Sequence, residues 1–173
     1  MGEKKRMTKH VISVLVENKF GVLARISGLF SARGFNIDSL AVGETDDSTV
    51  SRMTIITEGN EGTLEQITKQ LNKLIDVIKV QDITNQDYID RELMLIKVNA
   101  GKKDRAELIQ IVDTFKANII DVNPDTLTIE IAGEQSKIDA IMELLMPFGI
   151  REIVRTGRIA MARKKEVTIK KSP

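Results

Sequence analysis

Few side chains in this sequence are suited to making or breaking covalent bonds. Among 173 residues there is one His, His10, with no Cys and no Trp. The lack of Cys excludes disulfide scaffolds, thiolate zinc sites and cysteine nucleophiles. His10 opens the apolar run Val11-Ile12-Ser13-Val14-Leu15-Val16, so it reads as a structural or exposed residue at a strand start rather than a general base. Asp46 and Asp47 place two carboxylates side by side, but Thr45 and Ser48 frame them as a turn. With no further ligand nearby they read as turn chemistry rather than a metal or acid–base pair. The seven Met residues fall on expected core faces or at the ends, where they fill space. No catalytic constellation emerges.

One segment offers binding chemistry instead. Glu17-Asn18-Lys19-Phe20-Gly21-Val22-Leu23 joins an expected strand to an expected helix. Free N–H groups at a helix N-terminus favour an anion such as a carboxylate. Gly21 would let a ligand approach the backbone, and Asn18 offers an amide donor and a carbonyl acceptor. Val22 and Leu23 could line a small apolar pocket. No P-loop lysine pattern is present, so an amino acid suits the loop better than a phosphate-rich ligand. The same residues also suit a purely structural role, with Asn18 capping the turn and Gly21 relieving strain. Chemistry alone leaves both readings open.

The elements that must position this loop follow from hydrophobic period. Val11 to Val16 is β-branched and of strand length. Gly21 to Arg33 carries Val22, Ile26, Leu29 and Phe30 at helical spacing, with Gly34 as a C-terminal stop. Phe35 to Glu44 and Val50 to Thr57 read as strands around the Thr45–Ser48 turn. Thr63 and Gln66 make a capping box for a helix with Leu64, Ile67, Leu71 and Leu74 inward. Val77 to Val80 closes a βαββαβ unit, the ferredoxin-like split motif. Asn85-Gln86-Asp87 is the linker, and the order then repeats after roughly 80 residues.

In the second half Leu93 to Val98 is a strand, and Asp104 with Glu107 opens a helix carrying Leu108, Ile111, Val112 and Phe115. Asn118 to Val122 and Leu127 to Ile131 form a pair turned at Asn123-Pro124-Asp125. Ile138, Ile141, Met142 and Leu145 mark a helix stopped by Pro147, and Ile150 to Ile159 is the last strand. The expected fold is α+β, two ferredoxin-like βαββαβ domains over residues 8–84 and 90–162, with 1–7 and 163–173 as flexible ends. Between Val98 and Leu108 no counterpart of the Asn18–Leu23 loop occurs, so any binding by such a loop is expected in the first domain.

Composition narrows the partners. Lys plus Arg is 26 against 25 acidic residues, a net charge of +1, unlike the basic excess of a nucleic-acid binder. Aromatics are 3%, and the expected central strands carry none on which bases could stack, which argues against an RNA-recognition domain. The basic clusters Lys4-Lys5-Arg6, Arg163-Lys164-Lys165 and Lys170-Lys171 read as solvated ends. No apolar run approaches the roughly 20 residues of a membrane span. The expected compartment is the cytoplasm, without membrane or nucleic-acid partners.

The run Asn18-x-x-Gly21-Val22-Leu23, followed by Gly28-Leu29-Phe30-Ser31-x-Arg33-Gly34-Phe35-Asn36-Ile37-x-Ser39-Leu40, resembles the amino-acid-sensing ACT domain. More narrowly, it is similar to the small regulatory subunit of acetolactate synthase (acetohydroxyacid synthase). Ser51-Arg52-Met53-Thr54, Gln70 to Val77, Arg91 to Val98 and Ile119-Ile120-Asp121-Val122 extend the likeness over nearly the whole chain. The resemblance implies an N-terminal ACT domain, a ferredoxin-like C-terminal domain for holoenzyme activation, and no catalytic residue or metal on this chain. It implies a large catalytic partner subunit carrying thiamine diphosphate, magnesium and FAD. It further implies a homodimer and feedback inhibition by a branched-chain amino acid, valine first. The implied effector site takes Asn18, Gly21, Val22 and Leu23 from one chain and Asn36 and Ile37 from its neighbour. The alternative is a free-standing ACT-type sensor of another pathway or of transcription.

Overall fold

Apolar residues at every second position give β1 (Thr8–Glu17) one buried face, Ile12, Val14 and Val16. The computed structural model describes residues 7–163; the expectations for residues 1–6 and 164–173 lie outside them. The described residues fall into two compact units, one reaching to Ile89 and including the stretch from Ala160, the other Asp90–Ile159.

In the first unit β1 is followed by α1 (Val22–Ala32), β2 (Ser39–Glu44), β3 (Val50–Gly59), α2 (Glu61–Leu71) and β4 (Val77–Asp82). The antiparallel sheet has the order β2-β3-β1-β4, the expected split arrangement. Val22, Ile26, Leu29 and Phe30 of α1 and Ile67 and Leu71 of α2 bury against Ile12, Val14, Val16, Met53 and Ile55. Phe30, 1% exposed, fills the centre, and truncating it to Ala would cost about 3–5 kcal/mol.

The second unit repeats the plan. Its elements are β5 (Tyr88–Asn99), α3 (Arg105–Thr114), β6 (Asn118–Val122), β7 (Thr126–Gly133), α4 (Gln135–Leu145) and β8 (Ile150–Arg155), while β9 (Ile159–Ala162) falls with the first unit from Ala160 onward. The order is β6-β7-β5-β8, with β9 also paired to β5. Met94, Ile96 and Val98 pack with Leu108, Val112, Ile138, Ile141 and Leu145. Pro147 lies in a 3-10 turn, Met146–Phe148, directly after α4.

Several boundaries differ from the sequence expectation; β1 begins at Thr8 and β5 at Tyr88, ahead of the strands expected from Val11 and Leu93. The strand expected from Phe35 begins only at Ser39, because Phe35 belongs to the end of α1. Its N–H donates to Phe30 O (3.0 Å) and that of Gly34 to Ser31 O (3.1 Å), the paired bonds of a left-handed helix stop, with Gly34 at φ +68°. The Phe35 ring meets Phe30 edge-on at 6.5 Å. Helix α2 is capped by Asn60, whose side chain accepts from Thr63 N–H at 3.0 Å, so Thr63 lies inside the helix instead of capping it. Helix α1 starts at Val22, with Gly21 as its left-handed N-cap. The last expected strand is two strands, broken at Thr156-Gly157-Arg158 where Gly157 takes φ +81°. Beyond that break Ala160 packs with Val11, Ile56 and Ile83, on the sheet face opposite the helices.

Candidate functional site

The β1–α1 loop is anchored by Asn18. Its backbone N–H donates to Thr49 O (2.7 Å). Its side-chain amide donates to Glu44 Oε1 (3.0 Å) and Ser48 O (2.9 Å). Both amide hydrogens are therefore engaged within the chain, and only the Asn18 carbonyl oxygen is left for a ligand. Lys19 Nζ lies 2.6 Å from Glu17 Oε2, and the hydrogen bond and charge of Glu17 hold the ammonium above its ordinary pKa.

Gly21 turns the chain into α1 with φ +82° and ψ −5°, a conformation that any other residue takes at a cost. It supplies no side-chain cap. The Leu23 and Ala24 N–H groups of the first turn have no partner inside the helix, which leaves donors and the positive end of the dipole facing outward. Val22 is 3% exposed and sits in the core, so it fixes the helix start from within. Leu23 is partly exposed and Phe20 fully so, and these are the apolar groups the loop presents. The corner suits a small anion with an apolar side chain.

Asn36 and Ile37 lie at the opposite end of the sheet. Asn36 O accepts from Thr57 Oγ1 (2.6 Å), and its amide donates to Asp38 Oδ1 (2.7 Å). Ile37 is half-buried against the core. Thr49, which holds Asn18, and Thr57 are eight residues apart along or beside β3, roughly 25 Å at strand spacing. One chain thus brings Asn18, Gly21 and Leu23 together and keeps Asn36 and Ile37 away from them.

Two residues the sequence reading missed stand beside the loop. Arg25 Nε and Nη2 each lie 2.7 Å from Asp76 Oδ2. Asp76 precedes β4, and its carbonyl accepts from Glu17 N–H (2.8 Å). Arg25 stands four residues after Gly21, on the same side of the helix, which is a usable signal. Nothing in the sequence announces its partner 51 residues away.

Elsewhere, the second unit has a groove of about 590 Å³ between α3 and α4, lined by Ile111, Phe115, Leu144 and Phe148 with Asp104, Glu107 and Glu143. Three carboxylates give it the wrong sign for an amino acid's carboxylate. His10 is buried, with Nε2 3.0 Å from Gly59 O, a structural placement. Asp47 is held by Thr49, as turn chemistry requires. Among the described residues no group of three or more His, Cys, Asp or Glu could hold a metal ion, and no helix is long and apolar enough to cross a membrane.

Residues 12–79 match the family profile described as the AHAS small subunit-like ACT domain, and residues 91–164 that of the small subunit of acetolactate synthase. The chain belongs to the acetolactate synthase small-subunit family. The probable acetolactate synthase small subunit of Methanothermobacter thermautotrophicus is 54% identical over 155 residues, 89% of this chain and 92% of that protein. The small subunit of Mycobacterium bovis is 52% identical over 154 residues, again 89% and 92%. The crystal structure of the small subunit from Thermotoga maritima superposes with a TM-score of 0.82 at 41% identity, covering 92% of this chain and 99% of that one. Membership in a small-subunit family built on an ACT domain gives the chain a regulatory role. The expected fold, two ferredoxin-like units with the ACT domain first, stands.

Proposed function

We propose that this chain pairs with the large catalytic subunit of acetolactate synthase, raises its activity and confers feedback inhibition by a branched-chain amino acid, valine first. The chemistry, with thiamine diphosphate, magnesium and FAD, belongs to the large subunit in this reading. This chain contributes the effector site. Backbone N–H groups at the start of α1 take the effector carboxylate, the Asn18 carbonyl its ammonium, and Leu23 its side chain.

The observation that carries this reading is the separation of the two halves of the motif. An amino acid spans a few ångströms and cannot bridge roughly 25 Å, so a composite site requires two chains. Strand β2 is a sheet edge and it links the two halves. Its Ser39 end follows Asn36 and Ile37, and its other end, Glu44, holds Asn18. If the β2 edges of two copies pair antiparallel about a twofold axis, the Asn36 end of one chain falls beside the Asn18 end of the other. Such pairing also satisfies an unpaired edge. Two equivalent effector sites per homodimer result.

The test is reconstitution with the large subunit and titration of valine against acetolactate formation. Activation by the chain and loss of rate with added valine support the reading. A complex whose rate is indifferent to valine, leucine and isoleucine contradicts it.

A further inference from the structure

The guanidinium of Arg25 folds back along α1 toward its start. One edge is fixed, with Nε and Nη2 both on Asp76 Oδ2. The Asp76 side chain is 11% exposed and that of Arg25 49%, so a nearly buried carboxylate grips a half-exposed cation. The other nitrogen, Nη1, makes no hydrogen bond among the described residues, and a Cβ on Gly21 would lie 3.3 Å from it. A side chain there would crowd that approach, and the left-handed backbone at φ +82° favours glycine in any case. The nearby Lys19 ammonium is already on Glu17.

We infer that Arg25 Nη1 binds the carboxylate of the amino-acid effector, together with the uncapped N–H groups of α1, and that Asp76 is the positioning residue that aims it. This rests on the reading of the loop as the effector site. A guanidinium suits the role because its donors lie in a fixed plane, so binding one carboxylate on Nε and Nη2 leaves Nη1 directed at a second. Asp76 also removes the rotamer freedom that a free arginine would lose on binding. Carboxylate recognition then requires Arg25, Asp76 and a bare Gly21 as a set.

The experiment is calorimetric titration of the full chain with valine and with valinamide, which keeps the side chain and ammonium but has no carboxylate. Arg25→Gln is expected to weaken valine by about 10- to 100-fold and to leave valinamide within about twofold, collapsing the preference for the acid. Arg25→Lys, which keeps the charge without the fork, should fall between, and it carries the test if Arg25→Gln does not fold. Asp76→Asn should lower the preference while Arg25 remains. An equal loss for both ligands would make Arg25 merely structural and overturn the inference. So would unchanged valine binding by Arg25→Gln, with the effector-site reading left standing. Folded wild type that binds neither ligand would overturn both.

Discussion

Asn18 and Glu44 are joined by a hydrogen bond of 3.0 Å from the Asn18 amide to the Glu44 carboxylate. It ties the loop before α1 to the last residue of β2, the edge strand of the first sheet.

Asn18→Ala removes that link and the bond to Ser48 O. Both are exposed, so the expected loss of stability is about 1 kcal/mol, read by urea denaturation. Amide exchange should quicken at Asn18 and across residues 45–49 more than at Ile12 or Ile55.

Gly21→Asp places a carboxylate within reach of Arg25 Nη1 and where the effector carboxylate would lie. The left-handed backbone tolerates Asp better than most residues. Two like charges about 4 Å apart at an effective dielectric near 20 repel by about 4 kcal/mol, on the order of a thousandfold in affinity. The expected variant folds, still activates the large subunit and ignores valine. Inhibition unchanged from wild type would remove the site from this loop.

Glu92 is buried, and Arg155 holds it at 2.9 and 2.6 Å. The bond to Glu92 and its charge raise the Arg155 pKa. Arg155→Met strands a buried carboxylate. Because Arg155 is itself 45% exposed, the expected cost is about 2–3 kcal/mol rather than that of a fully buried pair. Guanidinium denaturation checks it, and Glu92→Gln in the same background should recover part of the loss.

Asp47 accepts from the Thr49 hydroxyl and N–H, and these bonds hold its carboxyl below its ordinary pKa. A depressed folded-state pKa means the stabilisation is complete above the ordinary carboxylate value. It is lost as pH falls through the lower folded-state value. An NMR titration of Asp47 should show this lowered midpoint, and Thr49→Val should move it back up.

The architecture was legible where one period dominates. Ile12, Val14 and Val16 alternate, and Val22, Ile26, Leu29 and Phe30 repeat at helical spacing. That same spacing placed Val22 in the core, which its position in the loop motif obscured. Boundaries failed where two residues compete for one role. Asn60 and Thr63 can both cap, and Asn60 does because its oxygen reaches Thr63 N–H. Phe35 is β-prone, yet Gly34 commits it to the helix stop. Long-range links left no trace. Arg25–Asp76 and the packing of Ala160 on Val11, Ile56 and Ile83 depend on the fold. A fragment ending at Gln86 would therefore uncover part of the first unit's own core.

The most direct test of the two-chain site is a mixed dimer of Gly21→Asp with Asn36→Ala, isolated by two different affinity tags and titrated calorimetrically with valine. Each variant alone should lack a wild-type site. In the mixed dimer one site collects both defects, while the other takes Gly21 from one chain and Asn36 from the other. One site of wild-type affinity per mixed dimer is the expected result. No such site in a folded mixed dimer, or a chain that stays monomeric with and without valine, would contradict it.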